Sequence, residues 1–391
     1  MMKIDLKSLR TAGFLIVLLV VPALILIKHY APQSGFLGLI YFGQIFKASR
    51  LEEVNKVNPP IQDNIGDDGQ FYAQIALDPL LKREDVRRAL DNPIYRSRRI
   101  GIPLLAYCLG LGKPAWILQV YALLNVVFWL LLLAMLGRFI GFQRPRDVLL
   151  AIAMLCATGT LNSIEHSLTD LPAAVLGVLA VFFNHQWVAC AFFLGGAALV
   201  KDTSALSFAA APLFKKGNPL NIKRVLVSLL IMVLPIALWV VYIQVRMTGG
   251  SDVGINQFAV PFSGLGHKLW KASHDFAGVF LQGPVHQQAY YVFEVLAPLS
   301  FVIQAAYLIA KPRFDDEAWR LGIGFALLLC LLGSSPWVAQ NKYCRILLPL
   351  TFSFNLLLQK HEPRTRFAAW YVAGNVGMCW KCLKYLKNIL F

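Results

Sequence analysis

The residue types that can do chemistry are densest at positions 66–72, which read Gly-Asp-Asp-Gly-Gln-Phe-Tyr. Two adjacent carboxylates, Asp67 and Asp68, stand between glycines that allow a tight turn. The apolar pattern that follows predicts a short helix that ends before Pro79. Asp68 then lies at the helix N-terminus, and two interpretations stay open. It caps the helix, which contributes about 1 kcal/mol, or its carboxylate serves a reaction.

Arginines form the second group, and they lie in the same part of the chain. They are Arg83, Arg87, Arg88, Arg96, Arg98 and Arg99. A surface helix over 82–90 would hold Arg87 and Arg88 in solvent or against lipid headgroups. Arg98 and Arg99 precede an apolar stretch, 100–111, that is too short to span a bilayer. An interfacial helix there would place both guanidinium groups at headgroup depth, where arginine binds phosphate bidentately. A phospholipid or lipid-linked phosphate is therefore the expected partner.

Three further polar clusters interrupt apolar stretches. They are Glu165, His166 and Asp170; Lys201 and Asp202; and Lys342, Tyr343 and Arg345. Lys201 and Asp202 form either a self-neutralising pair or a phosphate contact. Glu165 and His166 lack a partner histidine at metal-ligand spacing, which argues against a zinc site.

Composition indicates what positions these residues. Hydrophobic residues make up 57% of the 391 and charged residues 15%, against roughly a quarter charged in soluble domains. The mean hydropathy is +0.58, and the apolar residues come in blocks long enough to cross about 30 Å of hydrocarbon. We predict an all-α, polytopic integral membrane protein with about ten or eleven transmembrane helices. One membrane domain covers 1–391, with a first outer loop at 29–113 that carries interfacial helices and a second large outer loop at 246–288.

The apolar blocks define the expected spans. In chain order they cover 12–28, 115–136, 148–161, 171–183, 187–200, 204–214, 225–245, 289–310, 321–333 and 344–358. The spans at 187–200 and 204–214 are short for full crossings, so we expect them to be tilted or partly re-entrant.

The net charge of +16 has a topological explanation. Basic residues collect in cytoplasmic loops, so the 37 Lys and Arg against 21 Asp and Glu do not indicate a nucleic-acid partner. Lys3, Lys7 and Arg10 predict a cytoplasmic N-terminus, and the inner loops then contain Lys215 and Lys216. The stretch from Phe367 has two open interpretations: it crosses the membrane, which would leave three lysines outside, or it lies along the inner interface. The three lysines are Lys381, Lys384 and Lys387.

The order of these features resembles the GT-C superfamily of membrane glycosyltransferases. That order is a basic N-terminus, one span, a large outer loop with an acidic motif, an interfacial helix and many further spans. More narrowly, positions 67–72 and 75–79 are similar to the DGQFY…IA…DP signature of bacterial multi-spanning proteins of cell-surface glycopolymer formation. The run at 95–100 and the Pro-Leu-Leu at 103–105 also fit that group.

The resemblance implies a reaction and a set of roles. A sugar passes from a polyprenyl-phosphate carrier to an envelope glycan or lipid acceptor outside the cytoplasm. The expected location is a bacterial inner membrane. Asp68 would be the catalytic residue, with Asp67 as its neighbour or substitute, and Mg²⁺ or Mn²⁺ on this pair stays an open alternative. Substrate or carrier-phosphate contacts would come from Gln70, Tyr72, Arg98, Arg99, Asp170, Lys201 and Arg345.

Two classes of rival function remain. A transporter or flippase of lipid-linked sugars places polar groups near the midplane and commonly shows internal repeats. The ionisable groups here lie at the outer ends of predicted spans, and the sequence shows no repeat. A polysaccharide polymerase of another membrane fold shares the substrates without needing the acidic turn, and a non-catalytic subunit of an envelope assembly is also open.

Overall fold

The computed structural model describes residues 6–212, 221–247, 257–280 and 284–390. Helix accounts for 76% of the structure, which confirms the all-α prediction. A two-stranded parallel sheet of β1 (Phe42–Gly43) and β2 (Ile61–Gln62) is the sole sheet in the described ranges. Lys3, Lys215, Lys216 and the loop positions 248–256 and 281–283 lie outside the described residues.

The first helix is α1 (Leu6–His29). The predicted first outer loop then carries α2 (Glu52–Lys56), α3 (Gly69–Ile75), α4 (Glu84–Arg88), α5 (Pro93–Ser97) and α6 (Gly101–Leu109). The central helices are α7 (Pro114–Phe139), α8 (Pro145–Leu155), α9 (Thr158–Glu165), α10 (Asp170–Phe182), α11 (Trp187–Val200) and α12 (Ile222–Arg246). The second half contains α13 (Ser263–Phe280), α14 (Val285–Ala310), α15 (Glu317–Leu331), α16 (Ser334–Trp337), α17 (Gln340–Ile346), α18 (Leu348–His361), α19 (Arg364–Asn375) and α20 (Trp380–Leu390).

Three described helices are long and apolar enough to cross a membrane: α7, α12 and α14. The pair α8 and α9 passes the same test together but is bent by 45°, which brings the number to four if the pair is one span. The described parts of α1, α10 and α11 are shorter apolar helices. These helices fit an integral membrane protein.

Three predicted spans differ from the structure. Within the span predicted at 204–214, the described residues form a 3-10 helix over Asp202–Ala210, and positions 213–214 lie outside the described residues. The span predicted at 344–358 is split into α17 and α18 because Pro349, near the start of α18, has no N–H to continue a helix. A third break separates α8 from α9, where the Thr160 hydroxyl donates to the Met154 carbonyl at 2.7 Å.

Helix α18 is the centre of the core. All of its residues from Leu348 to Leu358 are buried, including three polar ones. Its polar side chains are satisfied internally. Asn355 and Asn375 of α19 exchange amide hydrogen bonds of 2.9 and 3.0 Å, and Ser353 donates to the Ala318 carbonyl. These hydrogen bonds fix α18 against α15 and α19.

One end of α18 is basic. There Lys360 and His361 contact Asp316, Lys311 contacts Glu362, and Gln359 donates to Asp147 at 2.9 Å. Arg144, Arg146 and Arg364 line a cleft close by. The other end of α18 leads directly into α17 and Arg345.

Helix α20 lies at the end of the bundle that holds Glu165, away from the basic end. Lys381 forms an ion pair with Glu165, and the Tyr385 hydroxyl donates to the same carboxylate at 2.6 Å. The expectation that this stretch lies along the inner membrane interface stays a prediction, and the structure places α20 at the opposite end of the bundle from Lys360 and Lys311. Because the Glu165 side chain is only 9% exposed, its charge needs nearby cations, and Lys381 supplies one.

Replacing Leu234 with lysine tests whether α12 crosses a membrane. Leu234 lies near the middle of the helix and is 42% exposed. A lysine at the centre of a span costs about 2.5–3.5 kcal/mol, so we expect the inserted fraction to fall in a glycosylation-based insertion assay. Val245→Lys is the control, because an amine at the helix end reaches the interface. Equal tolerance of the two changes would contradict a spanning α12.

Candidate functional site

The acidic turn is held in place by two glycines. Gly66 adopts φ +75°, a conformation that side chains disfavour. A Cβ atom on Gly69 would lie 2.2 Å from the His166 carbonyl oxygen, so the turn packs directly on the chain after α9. The Asp67 N–H donates to the Tyr41 carbonyl at 3.2 Å. Asp67 and Asp68 are therefore fixed between the segment that contains Tyr41 and the end of α9.

Gln70 and Tyr72 position the site from within the protein. The Gln70 amide donates to the Ile65 carbonyl at 2.9 Å and accepts from the Gly43 N–H at 3.1 Å, which closes the turn. The Tyr72 hydroxyl accepts from Arg99 Nη1 at 2.8 Å, and burial raises the Tyr72 pKa to about 12. Neither side chain lines the cavities described below, so both act as positioning residues.

Asp68 bonds two guanidinium groups. Arg96 Nη1 lies 2.8 Å from its Oδ1, and Arg345 Nη2 lies 2.8 Å from its Oδ2. The side chain makes no capping hydrogen bond, so the capping interpretation is wrong. Burial alone would raise the Asp68 pKa, but Arg345 and then Arg96 hold this pKa well below its usual value. The carboxylate is therefore ionised at neutral pH.

Asp67 contacts both His166, on one side of the turn, and Arg345, which also bonds Asp68. Its Oδ2 lies 2.7 Å from His166 Nδ1, and its Oδ1 lies 3.4 Å from Arg345 Nη1. Burial opposes both charges, yet Arg345 lowers the Asp67 pKa, and the hydrogen bond to Asp67 raises the His166 pKa. The His166 ring also stacks on Tyr41, with ring centroids 4.5 Å apart.

Asp170 and Lys201 form a buried ion pair beside these groups. Arg345 Nε lies 4.0 Å from Asp170, so this one arginine reaches Asp67, Asp68 and Asp170. The self-neutralising pair of Lys201 with Asp202 is therefore not formed. Asp202 instead lies 3.5 Å from Arg99 Nε.

One cavity of about 400 Å³ opens beside Asp68, and we call it the cationic cavity. Its five basic side chains are Arg96, Arg99, Lys201, Lys342 and Arg345, and its three acidic ones are Asp68, Asp91 and Asp170. A second part of its wall is apolar and includes Phe258, Leu328, Leu332 and Ile346. Asp91 pairs with Arg96 through two hydrogen bonds of 2.8 and 2.7 Å, which fixes that guanidinium plane.

A second cavity of about 710 Å³ lies on the other side of the turn, and we call it the aromatic cavity. His166 lines this cavity, whereas Asp68 lines the cationic one. Four aromatic rings contribute to its wall: Tyr30, Tyr41, Tyr290 and Trp380. Asp67 connects the two sides through its contacts with His166 and Arg345.

The residues around Asp67 and Asp68 do not fit a divalent cation. No cluster of three or more His, Cys, Asp and Glu side chains suited to a metal occurs in the described part of the chain. Each Asp68 oxygen also contacts a guanidinium, and a cation there would meet the repulsion of Arg96 and Arg345. The Mg²⁺ or Mn²⁺ alternative therefore lacks a donor set.

The structure brings most of the predicted site residues together, except that Arg96 lies at the site in place of the predicted Arg98. Arg99, Asp170, Lys201 and Arg345 meet at the cationic cavity, but the half-buried Arg98 does not line it. Sequence reasoning missed Arg96 as a site residue. The available signal was periodicity, because Arg96 and Arg99 stand three residues apart and so share a helical face.

Comparison with known proteins gives no relative. The chain matches no protein-family model, no curated protein and no solved structure.

Replacing His166 with glutamine should change the pH dependence of stability. The raised His166 pKa means that the protonated ring stabilises the fold below about pH 6.5, and this contribution is lost as pH rises through the raised pKa. We expect the thermal unfolding temperature of the parent protein to fall relative to His166→Gln between pH 6 and 9. His185→Gln, on an exposed turn, is the control. Parallel curves for the parent and His166→Gln would refute the coupling to Asp67.

Proposed function

We propose that this protein is a GT-C-type glycosyltransferase that moves a sugar from a polyprenyl-phosphate carrier to an envelope glycan or lipid acceptor. One observation carries the proposal: the cationic cavity combines the Asp68 carboxylate, clustered basic side chains and an apolar wall. A lipid-linked sugar phosphate has matching parts, which are a hydroxyl-bearing sugar, an anionic phosphate and a hydrocarbon chain.

The basic side chains suit the phosphate. Five basic and three acidic residues leave an excess of two positive charges, which exceeds the single charge of the donor phosphodiester and matches the second charge that develops on the leaving phosphate. Arg99 and Arg345 are buried and held by neighbouring groups, so little entropy is lost when they bind an anion. Lys342 is exposed at the rim and forms no ion pair within the described ranges, which leaves its ammonium free for the ligand.

The apolar wall suits the first isoprene units of the carrier. Phe258, Leu328 and Leu332 lie on the side of the cavity formed by the end of α15 and the bridge between Phe258 and Leu332. Each buried CH₂ contributes about 0.8 kcal/mol. A hydrocarbon chain bound here thus adds affinity that a free sugar phosphate lacks.

Orientation follows from the positive-inside rule. The basic end of α18 faces the cytoplasm, so the acidic turn and both cavities face the opposite side. With α1, the shorter helices α10, α11, α15 and α18 complete further crossings within the bundle and bring the four long spans to about nine. A bacterial inner membrane with an outward-facing site accommodates this arrangement.

The reaction is a single displacement. The acceptor hydroxyl oxygen attacks the anomeric carbon, the bond from that carbon to the phosphate oxygen breaks, and the carrier phosphate leaves with the bonding electrons. The hydroxyl proton passes to Asp68, which acts as general base. Arg96, Arg99, Lys201 and Arg345 stabilise the charge that develops on the leaving phosphate.

Asp68 must gain basicity when the donor binds. A carboxylate paired with Arg96 and Arg345 is a weak base because both cations favour its ionised form. A phosphate in the cationic cavity competes for the same guanidinium hydrogen bonds. As those bonds pass to the phosphate, Asp68 becomes a stronger acceptor for the hydroxyl proton.

Asp68→Asn is expected to lower sugar transfer by about 10²–10⁴-fold, because the amide cannot accept the proton. The assay uses purified protein in lipid nanodiscs with a panel of radiolabelled polyprenyl-phosphate sugars and an envelope glycan fraction. Release of free polyprenyl phosphate is the readout. Asp85→Asn is the matched control, since Asp85 lies in the same outer segment and pairs with Arg83 at its surface.

Two results would contradict the proposal. Normal turnover by Asp68→Asn would remove the base assignment. Movement of labelled carrier across vesicles without release of polyprenyl phosphate would instead favour a flippase.

A further inference from the structure

The wall of the aromatic cavity differs in character from that of the cationic cavity. No described residue in its lining carries a leucine, isoleucine, valine, methionine or phenylalanine side chain. Its aliphatic contributors are alanines and one proline, whereas the cationic cavity has Leu328, Leu332 and Ile346. An acyl or isoprenoid chain therefore finds little hydrocarbon here.

Its aromatic and amide groups suit a saccharide. Tyr30, Tyr41, Tyr290 and Trp380 offer ring faces for the C–H surface of a sugar. Amide side chains that donate and accept hydrogen bonds alternate with these rings, and they are Gln62, Asn162, Gln340 and Asn341. A pocket of about 710 Å³ accommodates a saccharide of a few residues.

The charge of this cavity is positive. Three lysines, Lys28, Lys381 and Lys384, line it with a single acid, Glu165. Glu165 is already satisfied by Lys28 at 3.0 Å and by Lys381. Lys384 is exposed toward the cavity and has no ion-pair partner among the residues with described positions. An anionic group on the ligand would supply that partner.

The aromatic cavity lies where the acceptor of a displacement reaction would bind, on the side of Asp67 and Asp68 that faces away from the cationic cavity. In a single displacement the nucleophile attacks the anomeric carbon on the face opposite the bond to the leaving phosphate. The acceptor must therefore come from the side away from the phosphate. The cationic cavity ends at Asp68, and the aromatic cavity ends at His166, which bonds Asp67. The acidic pair thus stands between the two ligands.

We propose that the aromatic cavity binds the acceptor, and that this acceptor is an acidic saccharide bearing carboxylate or phosphate groups. The assignment rests on the proposed glycosyltransferase function for the role of the ligand, but the binding itself is measured without turnover. Lys384 supplies the anion contact, and Trp380 and Tyr290 supply the stacking surface.

The test uses full-length protein in neutral-lipid nanodiscs and isothermal titration calorimetry. Trigalacturonate is the carboxylate probe, a trisaccharide phosphate is the phosphate probe, and maltotriose is the neutral control. We expect the acidic probes to bind about tenfold or more tightly than maltotriose. The stronger of the two acidic probes identifies the anionic group of the acceptor.

Two lysine variants form a matched pair, since each removes one exposed ammonium from one cavity. Lys384→Gln should weaken binding of the acidic probe about tenfold and leave polyprenyl phosphate binding unchanged. Lys342→Gln should do the reverse. Trp380→Ala should weaken acidic and neutral saccharides alike, and Lys384→Arg should retain the preference for the acidic probe.

Several outcomes would overturn the inference. They are equal binding of acidic and neutral probes, no binding above empty nanodiscs, or an acidic probe that is insensitive to Lys384→Gln. Loss of maltotriose binding in anionic-lipid nanodiscs, restored by Lys384→Gln, would assign the cavity to a lipid headgroup. If the saccharide probes fail but polyprenyl phosphate still binds in a Lys342-dependent manner, the proposed function remains intact. If neither the saccharide probes nor polyprenyl phosphate bind, both proposals are removed.

Discussion

The site depends on one guanidinium group, that of Arg345. It lies within 2.8 to 4.0 Å of three carboxylates, Asp67, Asp68 and Asp170, which would otherwise repel one another in a poorly solvated space. Removing one partner from such a buried set costs about 3–5 kcal/mol. The same side chain therefore stabilises the acidic turn and fixes the arrangement of the three carboxylates, and any anion that bound there would compete with these carboxylates for it.

The acidic turn that Arg345 holds in place separates the cationic cavity from the aromatic cavity. The turn at 66–69 is pressed against His166 by the close approach at Gly69, so one side of the turn faces arginines and the other faces aromatic rings. Hydrocarbon side chains occur mainly in the first cavity and sugar-compatible groups mainly in the second. A two-substrate reaction with one lipid-linked partner needs this kind of division, because each ligand is then excluded from the other's place.

The turns and most helices could be predicted from the sequence, but ion pairs between residues far apart in the chain could not. The glycines around Asp67 and Asp68 predicted the turn, and apolar blocks predicted most helices, including α11 at Trp187–Val200. The breaks at Pro349 and after Leu155 were missed because hydropathy averages over a polar or proline interruption. The sequence left Lys201 open between a pair with its neighbour Asp202 and a phosphate contact, whereas the structure supplies Asp170, 31 positions away. No spacing rule reaches that far, so such contacts need the packing of α9, α10 and α17.

The separation of Arg345 from Asp67 and Asp68 along the chain, 278 and 277 positions, has a consequence for biosynthesis. At about 5–20 residues per second, a ribosome takes roughly a quarter of a minute to a minute to reach the arginine after the acidic turn has emerged. During that interval the two aspartates have no counter-ion from α17. The cluster around the acidic turn is thus completed late, after most helices have been synthesised, and a nascent chain stalled before α17 would lack the Arg345 contacts.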